Sequence, residues 1–211
     1  MANVCPFFNK SDPSKPCNYR PISLLSCLGK LIERCIHKHL YNYVISNKML
    51  TSFQCGFTKG DSSVNQLAFI LHQWLPSSLV LLLSFRTQRT GSVIQLCFKI
   101  LSTINAGVPQ CSILGPLLFL IFINDIVNDI KANIRLFADD TSLYIIVEDP
   151  VAYAAVLNHD LSQISSWSKK WLVNFNPSKT ESVISSRKHQ KQHHPSLYLD
   201  NVPISQVITL G

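Results

Sequence analysis

The chain of 211 residues carries 46% hydrophobic side chains and 15% charged ones, enough apolar material to bury a core and the wrong balance for a disordered tail. Its positive charge sits at one end: residues 1–100 hold 11 Lys and Arg against 3 Asp and Glu, and residues 101–211 hold 8 against 9, so the first half suits a phosphate backbone or a triphosphate, or is simply a soluble basic surface. Seven cysteines without a C-x-x-C pair, no secretory signal, and apolar runs at 79–83 and 117–123 that fall short of the roughly 20 residues of a membrane span argue against zinc, a disulfide framework and a transmembrane helix.

These features describe a soluble, intracellular chain. A hydrophobic excess with few acids also arises when a chain is cut from a larger enzyme and its contact faces are left uncovered. In chain order, residues 1–21, rich in Pro, Asn, Ser and Lys, read as strand and loop, with a turn at Asp12-Pro13. From Leu24, apolar residues recur at Leu28, Leu31, Ile32, Cys35, Ile36, Leu40 and Tyr43, which predicts an amphipathic helix with a buried stripe and a basic side of Lys30, Arg34 and Lys38. A second helix is expected over 62–74, capped by Asp61 or Ser62, with Val64, Leu67, Ile70 and Leu71 inward. Pro116 opens a buried helix through the apolar stretch 117–126. The runs 134–138 and 142–147 predict a hairpin with Asp139-Asp140-Thr141 at its tip. A long helix follows over 150–171, with Val151, Leu157, Leu161, Ile164, Trp167 and Trp171 on its core face, and short strands are expected near 182–185 and 197–199. The class is α/β (α+β) with an antiparallel sheet.

Two adjacent carboxylates between hydrophobic strands call for a reason, since unit charges about 4 Å apart repel by roughly 4 kcal/mol at an intermediate dielectric. A divalent cation with hard oxygen ligands, magnesium above all, removes that cost. A solvated Asp-Asp turn is the plainer account, because Asp tolerates turn geometry.

The neighbouring motifs favour the cation. Gly107-Val108-Pro109-Gln110, Ser112-Ile113-Leu114-Gly115-Pro116-Leu117-Leu118-Phe119 and Phe137-Ala138-Asp139-Asp140 resemble, in order and spacing, the middle of a reverse transcriptase from a non-LTR retrotransposon of the LINE or jockey type. Asn18-Tyr19-Arg20-Pro21-Ile22-Ser23 and Gln54-Cys55-Gly56-Phe57 resemble its two fingers motifs, and Trp171-Leu172 with Asn176-Pro177-Ser178-Lys179-Thr180-Glu181 its palm motif after the aspartates. The resemblance runs over about 4–211. It implies a right-hand polymerase with a fingers-like part at 1–73 and a partial palm with an antiparallel sheet at 74–211. It implies Mg2+ at Asp139 and Asp140, with an RNA template, a DNA primer and deoxynucleoside triphosphates as partners and no membrane. By the same resemblance Gly107 and Gln110 line the template and incoming nucleotide, Phe137 lies beside the primer end, and Arg20 and Lys179 face phosphates, Lys179 being also a proton donor to pyrophosphate. Ordinary roles stand beside these: a surface ion pair for Arg20, a solvated loop for Lys179, Gly107 and Gln110, a core position for Phe137.

The sequence departs from that family in one respect that bears on chemistry. Relatives place a further aspartate on a strand between the second fingers motif and the Gly-x-x-Gln loop, whereas residues 62–124 contain no Asp or Glu at all. Neither His72 nor Ser84 is a hard-oxygen substitute. Residues 62–73 resemble the helix before the missing strand and 74–92 the segment well after it, so the join at Gln73-Trp74 reads as an internal deletion of tens of residues, genuine or introduced by the gene model. Cys111 stands where the family has glycine and Thr58 where many relatives have arginine. With no thumb after Gly211 and no endonuclease before Met1, the expectation is a fragment. Three readings follow: a degenerate reverse transcriptase unable to polymerise, an intact enzyme misassembled in sequence, and a non-catalytic RNA- or DNA-binding remnant. The tract 187–194, with Arg187, Lys188, His189, Lys191, His193 and His194, lacks an ordered ligand spacing and reads as a solvated loop.

Overall fold

The computed structural model describes residues 3–9, 12–15, 18–74, 79–88, 111–146, 150–175, 180–186 and 195–207. The chain divides into two compact units, Met1–Leu50 with Thr90–Phe122 and Thr51–Arg89 with Ile123–Gly211.

In the first unit β1 (Asn3–Phe8) pairs antiparallel with β2 (Tyr19–Leu24), Phe8 opposite Tyr19. Between them Asp12 Oδ1 accepts hydrogen bonds from the Ser14 N–H at 2.9 Å and the Ser14 hydroxyl at 2.7 Å, the Asx-type turn expected at Asp12-Pro13. Helix α1 (Cys27–Ser46) starts at Ser26, whose hydroxyl accepts from the Gly29 N–H at 3.0 Å. Helix α3 (Gly115–Ile123) has Pro116 in its first turn. Its start is tied to α1 by Glu33, whose carboxylate accepts from the Ile113 N–H at 2.7 Å and from the Ser112 hydroxyl at 3.3 Å.

The α1 stripe corrects the sequence reading. Leu28 is 74% exposed, Leu31, Ile32, Cys35, Ile36 and Tyr43 are exposed as well, and Val44 is the buried residue of the helix. Helical spacing says which residues share a face; it does not say that another element covers it. In α3, Leu117, Leu120 and Ile123 are buried while Leu118 and Ile121 are exposed, so the stretch is half-covered rather than wholly buried.

The second unit holds the main sheet, in the order β10-β7-β3-β5-β4. Strands β7 (Glu181–Ser186), β3 (Leu79–Gln88), β5 (Asp140–Ile146) and β4 (Asn133–Phe137) pair antiparallel, and β10 (Ser205–Val207) adds a parallel edge on β7. The architecture is therefore mixed α/β, with the expected antiparallel sheet carrying one parallel strand. Short β6 (Asn174–Phe175) pairs with the end of β3, and β8 (Tyr198–Leu199) with β9 (Val202–Pro203). The sequence reading names no strand at β3, yet β3 is central: Leu81, Leu83 and Phe85 are buried on one face, and on the other Val80 is buried, Leu82 half-buried and Ser84 exposed, the alternation of a strand fully covered on one side. Phe85 meets Phe175 edge-on, centroids 5.1 Å apart.

Helix α4 (Pro150–Trp171) buries Tyr153, Ala154, Leu157, Leu161 and Ile164. Its fully buried Asp160 accepts from the Lys131 N–H at 3.1 Å and the Ala132 N–H at 2.7 Å, which fixes the chain entering β4. Trp167 and Trp171 are not core residues of the kind expected: Trp171 is exposed, and the two indole N–H groups donate to Asp125 at 2.6 and 3.2 Å. Helix α2 (Ser63–Trp74) is capped by Ser62, whose hydroxyl accepts from the Asn65 N–H at 3.2 Å. Of its four expected inward residues Ile70 is buried, whereas Val64 (71% exposed), Leu67 and Leu71 face solvent.

Candidate functional site

Strands β4 and β5 are joined by Ala138 and Asp139, with Phe137 and Asp140 as the closing pair. A two-residue loop needs a left-handed residue, and Ala138 supplies it at φ 53. Alanine there is unfavourable because its Cβ crowds the following carbonyl. Asp139 lies in the turn and Asp140 opens β5, both half-buried. Thr141, expected at the tip beside them, instead lies within β5 and is fully buried, because the pleat sends successive side chains to opposite faces.

A loop after α1 braces this hairpin. Leu136 donates its N–H to the Phe53 carbonyl at 2.9 Å and its carbonyl accepts from the Cys55 N–H at 3.0 Å, a parallel bridge centred on Gln54 and Leu136. The Gln54 side-chain oxygen accepts from the Gly56 N–H at 2.8 Å and from the Ala138 N–H at 3.2 Å. The two backbones approach so closely that a Cβ on Gly56 would stand 2.1 Å from the Ala138 nitrogen; this glycine is sterically obligatory. Thr58 closes the loop on itself, its hydroxyl 3.4 Å from the Gln54 and Gly56 carbonyls.

On β4, Arg135 places its guanidinium 3.9 Å from the Phe69 ring centroid and 5.7 Å from that of Phe53, cation–π contacts that tie α2 and the loop to the hairpin strand. Burial, ahead of the neighbouring Asp61 carboxylate, pushes the Cys55 thiol up to about 11. The Ser62 N–H and then the Cys55 thiol hold the Asp61 carboxyl below its usual range. A thiol raised in this way stays protonated near neutral pH.

Across the sheet from the acids, β3 is the partner of β5, and Arg86 is the register partner of Asp140. Strand β3 contains no acid. Among the described residues no group of three or more His, Cys, Asp and Glu comes together.

The other residues singled out in the sequence are distributed as follows. Phe137 closes the turn, half-buried. Arg20 lies on β2 of the first unit, exposed, opposite Phe7. Gly107, Gln110 and Lys179, and the tract 187–194, lie outside the described residues. In the sequence Gln54 and Gly56 stand only as part of a fingers motif; a Gln and a Gly two residues apart in a loop without periodicity carry no sign of their contact with the acidic turn.

Residues 72–199 match the family model for reverse transcriptase (RNA-dependent DNA polymerase). The chain is 30% identical to a probable RNA-directed DNA polymerase from transposon BS of Drosophila melanogaster, over 85% of this chain and 25% of that protein. It is 27% identical to the probable RNA-directed DNA polymerase from transposon X-element of the same species, over 91% and 26%. It is 28% identical to the RNA-directed DNA polymerase from its mobile element jockey, over 81% and 24%. The chain spans about a quarter of the length of these curated relatives. With the transposon BS protein the alignment runs to 227 positions, although 85% of the 211 residues is about 179, so close to 48 positions have no counterpart here; the X-element alignment, 243 positions against about 192 residues, leaves roughly 51. By its matched motifs and by these relatives, the chain belongs to the reverse transcriptase (RNA-dependent DNA polymerase) family and is related to the reverse transcriptases of the jockey, X-element and BS non-LTR retrotransposons.

Proposed function

We propose that this chain is a reverse transcriptase domain that has lost polymerase activity: a right-hand fingers and palm, 1–73 and 74–211, around an acidic turn that is half of the ancestral metal site. The observation that carries the proposal is the acid-free interval 62–124, together with the register that sets Arg86 opposite Asp140. The family uses Mg2+, and a two-ion centre needs hard oxygen donors bridging both ions from more than one strand. Two carboxylates from a single turn, beside a strand that offers none, do not make that set. Asp139, with Asp140 beside it, is left able to contact one cation. The aligned positions without counterpart, about 48 and 51 for two relatives, support an internal deletion, which we place at Gln73-Trp74.

In this reading Phe137 and Arg20, with Gly107, Gln110 and Lys179, are remnants of primer, nucleotide and template contacts that no longer serve transfer. Primer extension on an RNA template with Mg2+ or Mn2+ tests it. No extension above background is expected, and synthesis abolished by Asp139→Ala would refute the claim of inactivity. Transcript sequence across codons 73 and 74 is a second check, because an in-frame insert encoding an aspartate would restore the active enzyme as the natural product.

A further inference from the structure

Ala138 is the residue of the acidic turn whose conformation needs an outside cause. It is an L residue at φ 53, and alanine lacks the side-chain hydrogen bonds by which Asn and Asp hold themselves in left-handed turns. Gln54 supplies a cause from another part of the chain. Its side-chain oxygen accepts from the N–H of Ala138 at 3.2 Å and from that of Gly56 at 2.8 Å, so one acceptor joins the acidic turn to the loop beside it. The orientation of the amide is dictated by these partners, since both are donors and only oxygen can face them.

The other half of the same amide is unfavourable. Gln54 is 6% exposed, and its nitrogen is buried with no hydrogen-bond partner among the described residues. Burying an unsatisfied amide N–H opposes folding, and methionine would fill the same volume without that penalty. What glutamine contributes over methionine is one acceptor shared by the Gly56 and Ala138 N–H groups. An independent observation points the same way: Gly56 leaves only backbone between the loop and the turn, and any Cβ there would stand 2.1 Å from the Ala138 nitrogen and 2.9 Å from the Phe137 carbonyl carbon. The Leu136 bonds to Phe53 and Cys55 flank this contact.

We infer that Gln54 is a positioning residue for the acidic turn: by holding the Ala138 peptide in its left-handed conformation it sets the direction in which the next residue, Asp139, leaves the hairpin. The inference rests on the reading of Asp139 and Asp140 as a pair that contacts a cation. It assigns to a segment placed by sequence among the fingers motifs the task of shaping the hairpin.

Amide hydrogen exchange on the 15N-labelled full chain, with Mn2+ line broadening as a second readout, tests it. In the unaltered chain the Ala138 amide is expected to be protected; exchange there at the rate of an unstructured amide overturns the inference without any variant. Gln54→Met should speed exchange at Ala138 at least about tenfold while Leu81 and Leu143, in the centre of the sheet, keep their protection. It should also raise by at least about threefold the Mn2+ concentration that half-broadens the Asp139 and Asp140 signals. Gln54→Glu, which keeps an oxygen acceptor, should restore the protection of Ala138. Unchanged protection of Ala138 in Gln54→Met overturns the inference, as does a loss shared equally by Leu81 and Leu143, the mark of a residue that merely fills the core. If Mn2+ broadens neither aspartate in the unaltered chain, the cation reading falls, and exchange at Ala138 still decides whether Gln54 sets the turn.

Discussion

Cys111 adopts φ 71, a left-handed conformation that disfavours any Cβ and suits glycine. A cysteine at such a position is destabilising by about 1–2 kcal/mol, and glycine gives back part of the difference through its freedom in the unfolded chain. Cys111→Gly should therefore raise the unfolding free energy by a net of about 0.5–1 kcal/mol, measured by urea denaturation; a loss of stability would show that the thiol makes a contact worth more than the strain. Gly56 is the opposite case, a glycine retained at a position where no other residue fits. Both positions stand in loops, where periodicity carries no signal and the identity of a residue makes sense only once its φ or its neighbours are known.

Helices show the same division on a larger scale. The residues of α1 and α4 were legible from apolar spacing, and α4 begins and ends where expected, Pro150–Trp171. Which faces are covered was not legible. Leu157 of α4 is fully buried while Leu28 and Ile32 of α1 are 74% and 59% exposed, although all occupy apolar positions of amphipathic repeats. Leu157→Ala should accordingly reduce stability by about 2–5 kcal/mol. The double substitution Leu28→Lys with Ile32→Lys should change it by less than about 0.5 kcal/mol. Far-UV circular dichroism through a denaturant titration reads both, and equal losses would mean that the α1 stripe is covered in solution. Strand β3 makes the complementary point: its apolar run was plain, but a run of that length fits a buried strand or a piece of helix equally well. Pairing with β5 on one side and β7 on the other made it a strand. A sheet lacking a strand at its centre would expose two edges; β3 fills that place while bringing no acid to it.

At the scale of the whole molecule, a net charge of +7 and the exposed Lys30, Arg34 and Lys38 of α1 leave a basic surface whose attraction for a nucleic-acid backbone needs no metal. Binding to single-stranded RNA or DNA should survive EDTA and weaken with salt, log K falling by about 0.7 per phosphate neutralised for each unit of log salt concentration; filter binding across a salt series measures it, and loss of binding on chelation would instead tie affinity to the acidic turn. Local pattern was enough for the helices, for the acidic hairpin and for the family, because amphipathic spacing and short motifs are written in neighbouring residues. It was also enough to reveal the acid-free interval 62–124. The central place of β3, the register that faces Asp140 with Arg86, and the Gln54 contact to Ala138 depend on residues tens of positions apart. Such contacts arise from chain pairing and close packing, which no local periodicity encodes, and that is why the support of the acidic turn became visible only in three dimensions.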